Sequence, residues 1–147
     1  TNIPHPYTLK MAHDFIKKTN KGINQKESYD LGIELKKTKE IIGMMSLMKI
    51  NKESKNAEMG YWIAQEYWQQ GIGTEATKLI IKFGFEKLKL EKIYARVNHP
   101  NFASQKLLLK NNFKPEGRLR KHAFRNKEWY DEILFGLLKE EYTLNNL

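Results

Sequence analysis

The sequence predicts a mixed α+β domain of order α-β-β-β-α-β-α-β-β, on three observations. Three apolar segments between residues 29 and 64 are joined by short polar links, the pattern of an antiparallel meander. After residue 74 the apolar spacing changes from the strand period to the helix period. A short apolar strand follows that helix, and a strand–helix–strand crossover implies a parallel or splayed pair of strands.

The elements follow in order. Thr8 is placed to cap a helix over residues 8–20, with Met11, Phe15 and Ile16 on its apolar side. Residues 20–26 read as a polar turn around Gly22. Strands are expected over 29–35, 41–50 and 57–64, separated by turns at 36–40 and 51–56. The helix over 74–88 sets Ala76, Leu79, Ile80, Phe83 and Leu88 near one face. A strand at 93–97 leads through Pro100 into a helix over 101–110, and Asn112 is a left-handed stop. A strand begins at 113–117, a polar hairpin runs through 118–128, and a last apolar strand covers 130–138. No linker interrupts residues 1–147, which read as one domain with room for a core.

Composition narrows the function classes. A hydrophobic share of 40% and an aromatic share of 12% belong to a globular chain rather than a disordered one. No apolar run approaches the roughly 18 residues needed to span a bilayer, so no membrane partner is expected. The absence of cysteine excludes disulfides, thiolate metal sites and an acyl-cysteine intermediate, and suits a cytoplasmic setting. His5, His13, His99 and His122 show no paired spacing, so no metal is expected. The net charge of +9 invites a nucleic-acid reading, but the basic residues are scattered singly among apolar ones, as on solvated faces. That pattern speaks against direct nucleic-acid binding, although a basic binding module without catalysis stays as an alternative.

The segment Glu58–Thr77 carries the chemistry. An apolar strand runs into a short polar turn, and Gly71 and Gly73 then open an amphipathic helix. A helix start has free N–H groups and a positive dipole end, and glycine lets an anion approach the backbone closely. Gly71-Ile72-Gly73-Thr74-Glu75-Ala76 formally matches the dinucleotide fingerprint GxGxxA. Residues 65–70 intervene between strand and glycines, however, and Arg96 and Val97 end the next strand where an acidic ribose ligand is needed.

The ordered motifs resemble the GNAT superfamily of N-acetyltransferases, within it the RimJ/RimL-type branch. The matching pieces are Ala57-Glu58-Met59-Gly60-Tyr61-Trp62-Ile63 and Tyr67-Trp68-Gln69-Gln70-Gly71-Ile72-Gly73-Thr74-Glu75-Ala76. Downstream come Asn98-His99-Pro100-Asn101-Phe102-Ala103-Ser104, Lys110-Asn111-Asn112-Phe113-Lys114-Pro115-Glu116-Gly117 and Trp129-Tyr130-Asp131-Glu132. The resemblance implies a mostly antiparallel twisted sheet flanked by helices. Relative to that pattern Trp68 stands where the superfamily has Gln or Arg, as is usual in the branch. Leu108 replaces the tyrosine often placed as acid toward the leaving thiol, and Asn112 replaces a glycine. The family's first strand and helix have no counterpart, and the first helix here looks like the family's second.

The resemblance implies acetyl-coenzyme A as donor, with its pyrophosphate on the N–H groups of Gln69, Gln70, Gly71, Ile72, Gly73 and Thr74. The pantetheine arm would pair like a strand with Trp62 and Ile63, and an N–H near Ile63 would hold the developing oxyanion. Asn101 and Ser104 would face the cofactor, with Ser104 protonating or hydrogen-bonding the leaving sulfur. The acceptor amine must be neutral to attack: a lysine with pKa about 10.4 is about 0.04% neutral at pH 7, an α-amine near 7.8 about 14%. Glu58, on the same strand face as Gly60 and Trp62, is the candidate base, directly or through water. Tyr61, Tyr130 and Asp131 are candidate acceptor contacts. The favoured acceptor is a protein N-terminal α-amine of ribosomal-protein type, taken by a monomer or homodimer. A small amine such as a polyamine or aminoglycoside is the alternative, and acyl-CoA binding without turnover a further one.

Overall fold

The computed structural model describes residue 6 and residues 8–144. His5 lies outside them. Helix α1 covers Leu9–Gln25, strand β1 Tyr29–Glu34, β2 Ile41–Asn51 and β3 Asn56–Ile63. Helix α2 covers Ile72–Lys82, β4 Lys92–Asn98, α3 Phe102–Lys110, β5 Lys114–Arg125, β6 Glu128–Leu138 and α4 Lys139–Leu144. The six strands form one sheet in the order β1-β2-β3-β4-β6-β5. All neighbours are antiparallel except β3 and β4. This is the expected α+β order, with the meander and crossover in place. No helix among the described residues is long and apolar enough to cross a membrane.

Several boundaries differ from the sequence expectation. Thr8 does cap α1, accepting from the Met11 N–H at 3.3 Å. The helix does not stop at residue 20, however, but runs to Gln25 and ends on the left-handed Lys26 (φ 57°). Gly22 is buried inside it, where a Cβ would strike the Ser28 hydroxyl. The glycine serves a close approach, and the polar residues around it form a solvated helix face rather than a turn. Met11, Phe15 and Ile16 all remain at least partly exposed.

Helix α2 begins two residues earlier than expected and changes pitch at its end. Phe83–Lys87 is a π-helical turn, with the Leu88 N–H on the Phe83 carbonyl at 3.1 Å. The π turn brings Phe85 into the core, while Leu79, expected inside, is 63% exposed. The polar stretch 118–128 is a hairpin, as expected, but most of it is strand: β5 continues to Arg125 and turns only at Asn126-Lys127, both left-handed. β5 is an edge strand exposed along most of its length, so nothing imposes apolar alternation on it. Strand β6 begins two residues early, and α4 was not anticipated.

One layer of core lies between the sheet and α2, α3 and the π turn. On β4, Ile93, Ala95 and Val97 face it, together with Leu47, Ala57, Met59, Ile80, Phe85, Leu108 and Phe135. Tyr94, Arg96 and Asn98 alternate onto the opposite face. The site is built where these two faces meet an opening in the sheet.

Candidate active site

Strands β3 and β4 pair only at Asn56–Lys92, Ala57–Ile93 and Glu58–Tyr94. Beyond Glu58 the strands part, and the edge of β3 that faces β4 has no ladder partner up to Trp62 and Ile63. On its other side β3 stays paired, Trp62 with Met44 and Ile63 with Gly43. The opening lies where α2 leaves the end of β3 and α3 starts at the end of β4.

The link from β3 to α2 is fixed at several points. The Trp68 indole N–H donates to the Ile63 carbonyl at 2.8 Å, and the Gln70 side-chain amide donates to the Glu66 carbonyl at 2.8 Å. The Tyr67 hydroxyl donates to Glu40 at 2.9 Å. Burial contributes less than that bond to raising the Tyr67 phenol above its ordinary pKa. Gln69 (φ 61°) and Gly71 (φ 82°) are both left-handed, a conformation in which nearby backbone N–H groups converge on one side. No side chain caps α2, so its first N–H groups are open.

The two glycines divide two roles. A Cβ at Gly71 would meet nothing within 4 Å, so the ground above the helix start is open. A Cβ on Gly73 would meet Ile63 Cδ1 at 3.3 Å and Leu107 Cδ1 at 3.5 Å, which makes Gly73 the packing contact among α2, β3 and α3. An open helix start beside an unpaired strand edge fits a phosphate carried on an extended, amide-containing arm.

Helix α3 approaches the same opening. Asn101 caps it by accepting from the Ser104 N–H at 3.1 Å. The Tyr61 hydroxyl is buried beside Ser104, close enough for its acidity to respond but without a closed hydrogen bond. Burial pushes the Tyr61 phenol above its ordinary pKa, and Ser104 offsets only part of that rise. Leu108 is fully buried in the core, away from any polar role.

Glu58 stands on the opposite face, at the apex of the opening. Its carboxylate accepts from Arg96 Nε at 3.0 Å and Arg96 Nη2 at 3.1 Å, and pairs with Lys49 at 2.8 Å. Around Arg96 lie Glu132 at 3.6 Å and His122 at 3.4 Å, with His122 also 3.9 Å from Glu132. Burial pulls the Arg96 guanidinium down, but Glu58 and Glu132 hold it above its ordinary value. One oxygen of buried Glu132 has no hydrogen-bond partner.

His122 reaches this cluster because β5 bulges: Leu119 pairs with Glu132 and Ala123 with Tyr130, leaving three β5 residues opposite Asp131. The Asp131 carboxylate accepts from the bulge N–H of Lys121 and from Arg118 Nε, both at 2.7 Å. Those two bonds hold Asp131 below the usual carboxylate range. The Tyr130 hydroxyl donates to Glu128 at 2.7 Å, which raises its pKa. Asn98, Pro100, Asn101, Phe124, Arg125, Asn126 and Tyr130 line a cavity of about 560 Å³ between the end of β4 and the hairpin tip.

The structure thus gathers Trp62, Ile63, residues 69–74, Tyr61, Asn101 and Ser104 around one opening. Glu58 lies at its apex on the other face, and Tyr130 and Asp131 lie in the β5–β6 hairpin. Sequence reasoning singled out His122 in the hairpin as a possible substrate contact but missed Lys49, Arg96 and Glu132 beside it. The signal for Arg96 was a charged residue inside the apolar strand Ile93–Val97. Among the described residues no cluster of His, Asp or Glu is arranged to hold a metal ion.

Comparison with known proteins gives a consistent answer. The acetyltransferase (GNAT) domain profile matches residues 1–114. The chain is 36% identical over 115 residues to the uncharacterized N-acetyltransferase YoaA of Bacillus subtilis (strain 168), a match that covers 78% of this chain and 65% of YoaA. A candidate ribosomal-protein-serine acetyltransferase from Vibrio cholerae superposes with a TM-score of 0.79 at 28% identity, over 90% of this chain and 76% of that one. The spermidine N-acetyltransferase SpeG from Vibrio cholerae, as its F149A mutant, superposes with a TM-score of 0.84 at 26% identity, over 92% of this chain and 79% of that one.

Proposed function

The chain belongs to the GNAT acetyltransferase family, and on that premise we propose that it is an acetyl-CoA-dependent N-acetyltransferase acting on a primary amine, by preference a protein N-terminal α-amine. The uncapped start of α2, with open space over Gly71 and the unpaired edge of β3 beside it, carries the reading. Acetyl-CoA supplies an activated acetyl group as a thioester. The N–H groups of residues 69–74 bind its pyrophosphate. The β3 edge at Trp62 and Ile63 binds the arm, and an N–H near Ile63 donates to the acetyl oxygen as charge develops there.

Ser104 and Tyr61 face the departing sulfur side by side. The Tyr61 phenol, raised by burial, stays protonated at neutral pH and so keeps a proton to donate. Glu58 takes the amine proton through water, since Arg96 and Lys49 already occupy most of its lone pairs. Tyr130 contacts the acceptor in the cavity, while Asp131 braces the β5 bulge. No cysteine is required, because the amine attacks the thioester directly. The composition suits a cytoplasmic setting.

The likeness to SpeG favours a polyamine as second reading. A polyamine needs free carboxylates, and the cavity lining has none. The test is calorimetric titration of the chain with coenzyme A and acetyl-CoA, followed by thiol release over N-terminal peptides and spermidine. Micromolar binding with peptide-dependent release supports the proposal. A folded chain that binds neither ligand refutes it.

A further inference from the structure

Resting on the transferase reading, we infer that the cavity between the end of β4 and the β5–β6 hairpin selects polypeptide N-termini in which acidic residues follow the reactive amine, with Arg125 as the selecting residue. The cavity adjoins the Glu58–Arg96–Glu132 cluster on the same face of the sheet. Asn98 lies two residues beyond Arg96 on β4, and Tyr130 lies two before Glu132 on β6.

Its lining is chemically one-sided. Asn98, Asn101 and Asn126 offer amide donors and acceptors suited to a peptide backbone, and Phe124 and Tyr130 offer aromatic surface. Phe124 is held in place by Trp129, with ring centroids 4.8 Å apart. The one charged lining residue is Arg125, which is half-buried and has no acidic partner among the described residues, although every other arginine but Arg120 is ion-paired. An arginine without a counter-ion at a cavity wall favours a carboxylate ligand, which its guanidinium can hold bidentately. The net charge of +9 steers an acidic acceptor toward the surface and repels a polycation.

Two N-terminal hexapeptides test the inference. They are identical except for acidic or lysine residues at positions two to four. Thiol release and fluorescence-anisotropy binding are measured for both, and release for spermidine, on the full chain, on Arg125→Glu and on the milder Arg125→Gln. The acidic peptide is expected to exceed the lysine peptide in kcat/KM and in affinity by about three- to tenfold, the range of a single partly exposed charge contact. Arg125→Glu should reverse that order, Arg125→Gln should level it, and coenzyme A affinity should stay unchanged.

Preference of the wild-type chain for the lysine peptide or spermidine would overturn the inference, as would a preference that ignores Arg125. A tenfold loss of coenzyme A affinity in Arg125→Gln would assign the guanidinium to a cofactor phosphate instead. Arg125-dependent anisotropy without turnover would keep the cavity assignment and sink the transferase reading. Turnover without Arg125 dependence would do the reverse.

Discussion

Arg96 of β4 reaches back across the mouth of the sheet opening and grips both oxygens of Glu58, the last residue of β3 that pairs with β4. The ion pair therefore sits where the strands diverge and ties them at that point. Its side chains are 28% and 11% exposed, so the pair is largely desolvated. Arg96→Ala leaves Glu58 buried with only Lys49. A loss of about 2–3 kcal/mol in urea unfolding is expected, below the 3–5 of a pair broken completely. A loss under about 0.5 kcal/mol would show that the pair does not hold the strands.

Glu58→Gln separates charge from shape. If Glu58 relays the amine proton, kcat falls about 10²-fold while KM for acetyl-CoA holds. The same fall in an N-terminal peptide assay at pH 9, where the α-amine is already neutral, would assign Glu58 a purely structural role.

Gly71→Val places a β-branched side chain on a left-handed residue and fills the open ground over α2. Backbone strain of about 1–2 kcal/mol is expected, together with loss of detectable coenzyme A binding by calorimetry. Wild-type affinity in a folded variant would remove the phosphate from this loop.

Ser104→Ala and Tyr61→Phe distinguish the two hydroxyls at the opening. Tyr61→Phe should lower kcat more than Ser104→Ala, by about tenfold against a few-fold, with little change in coenzyme A affinity for either. Equal and small effects would exclude both from proton transfer.

Acid should loosen the hairpin and the C-terminal helix before it affects the opening. Asp131 is lowered by the Lys121 N–H and Arg118, and Glu141 by Lys114 and the Leu138 N–H. With both folded values depressed, the unfolded chain binds more protons near pH 4. Their stabilisation is present above the ordinary carboxylate range and is lost as pH falls through the lowered values. Thermal unfolding from pH 7 to 3 should therefore be flat above about pH 5 and fall below it, and Asp131→Asn should reduce the fall. A midpoint independent of pH down to 3 would contradict these assignments.

The local parts of this architecture were legible in the chain. Thr8 and Asn101 announce helix starts, Asn112 a left-handed stop and Gly71-Ile72-Gly73 an open helix N-terminus, because each depends on a few neighbouring residues. The Arg96–Glu58 contact joins residues 38 positions apart and depends on the register of a parallel pair only three rungs long. The full length of β5 was not legible because an exposed edge places no demand on alternation, and the end of α1 because a buried glycine inside a polar face resembles a turn.

The β5 bulge sets three residues against one, a surplus of two. An even surplus leaves the in–out parity of the strand intact, so Ala123 and Tyr130 still share the face of Leu119 and Glu132. Removing two residues from 120–122 would erase the bulge, and with it the Lys121 N–H that holds Asp131, while Arg125 keeps its side of the sheet.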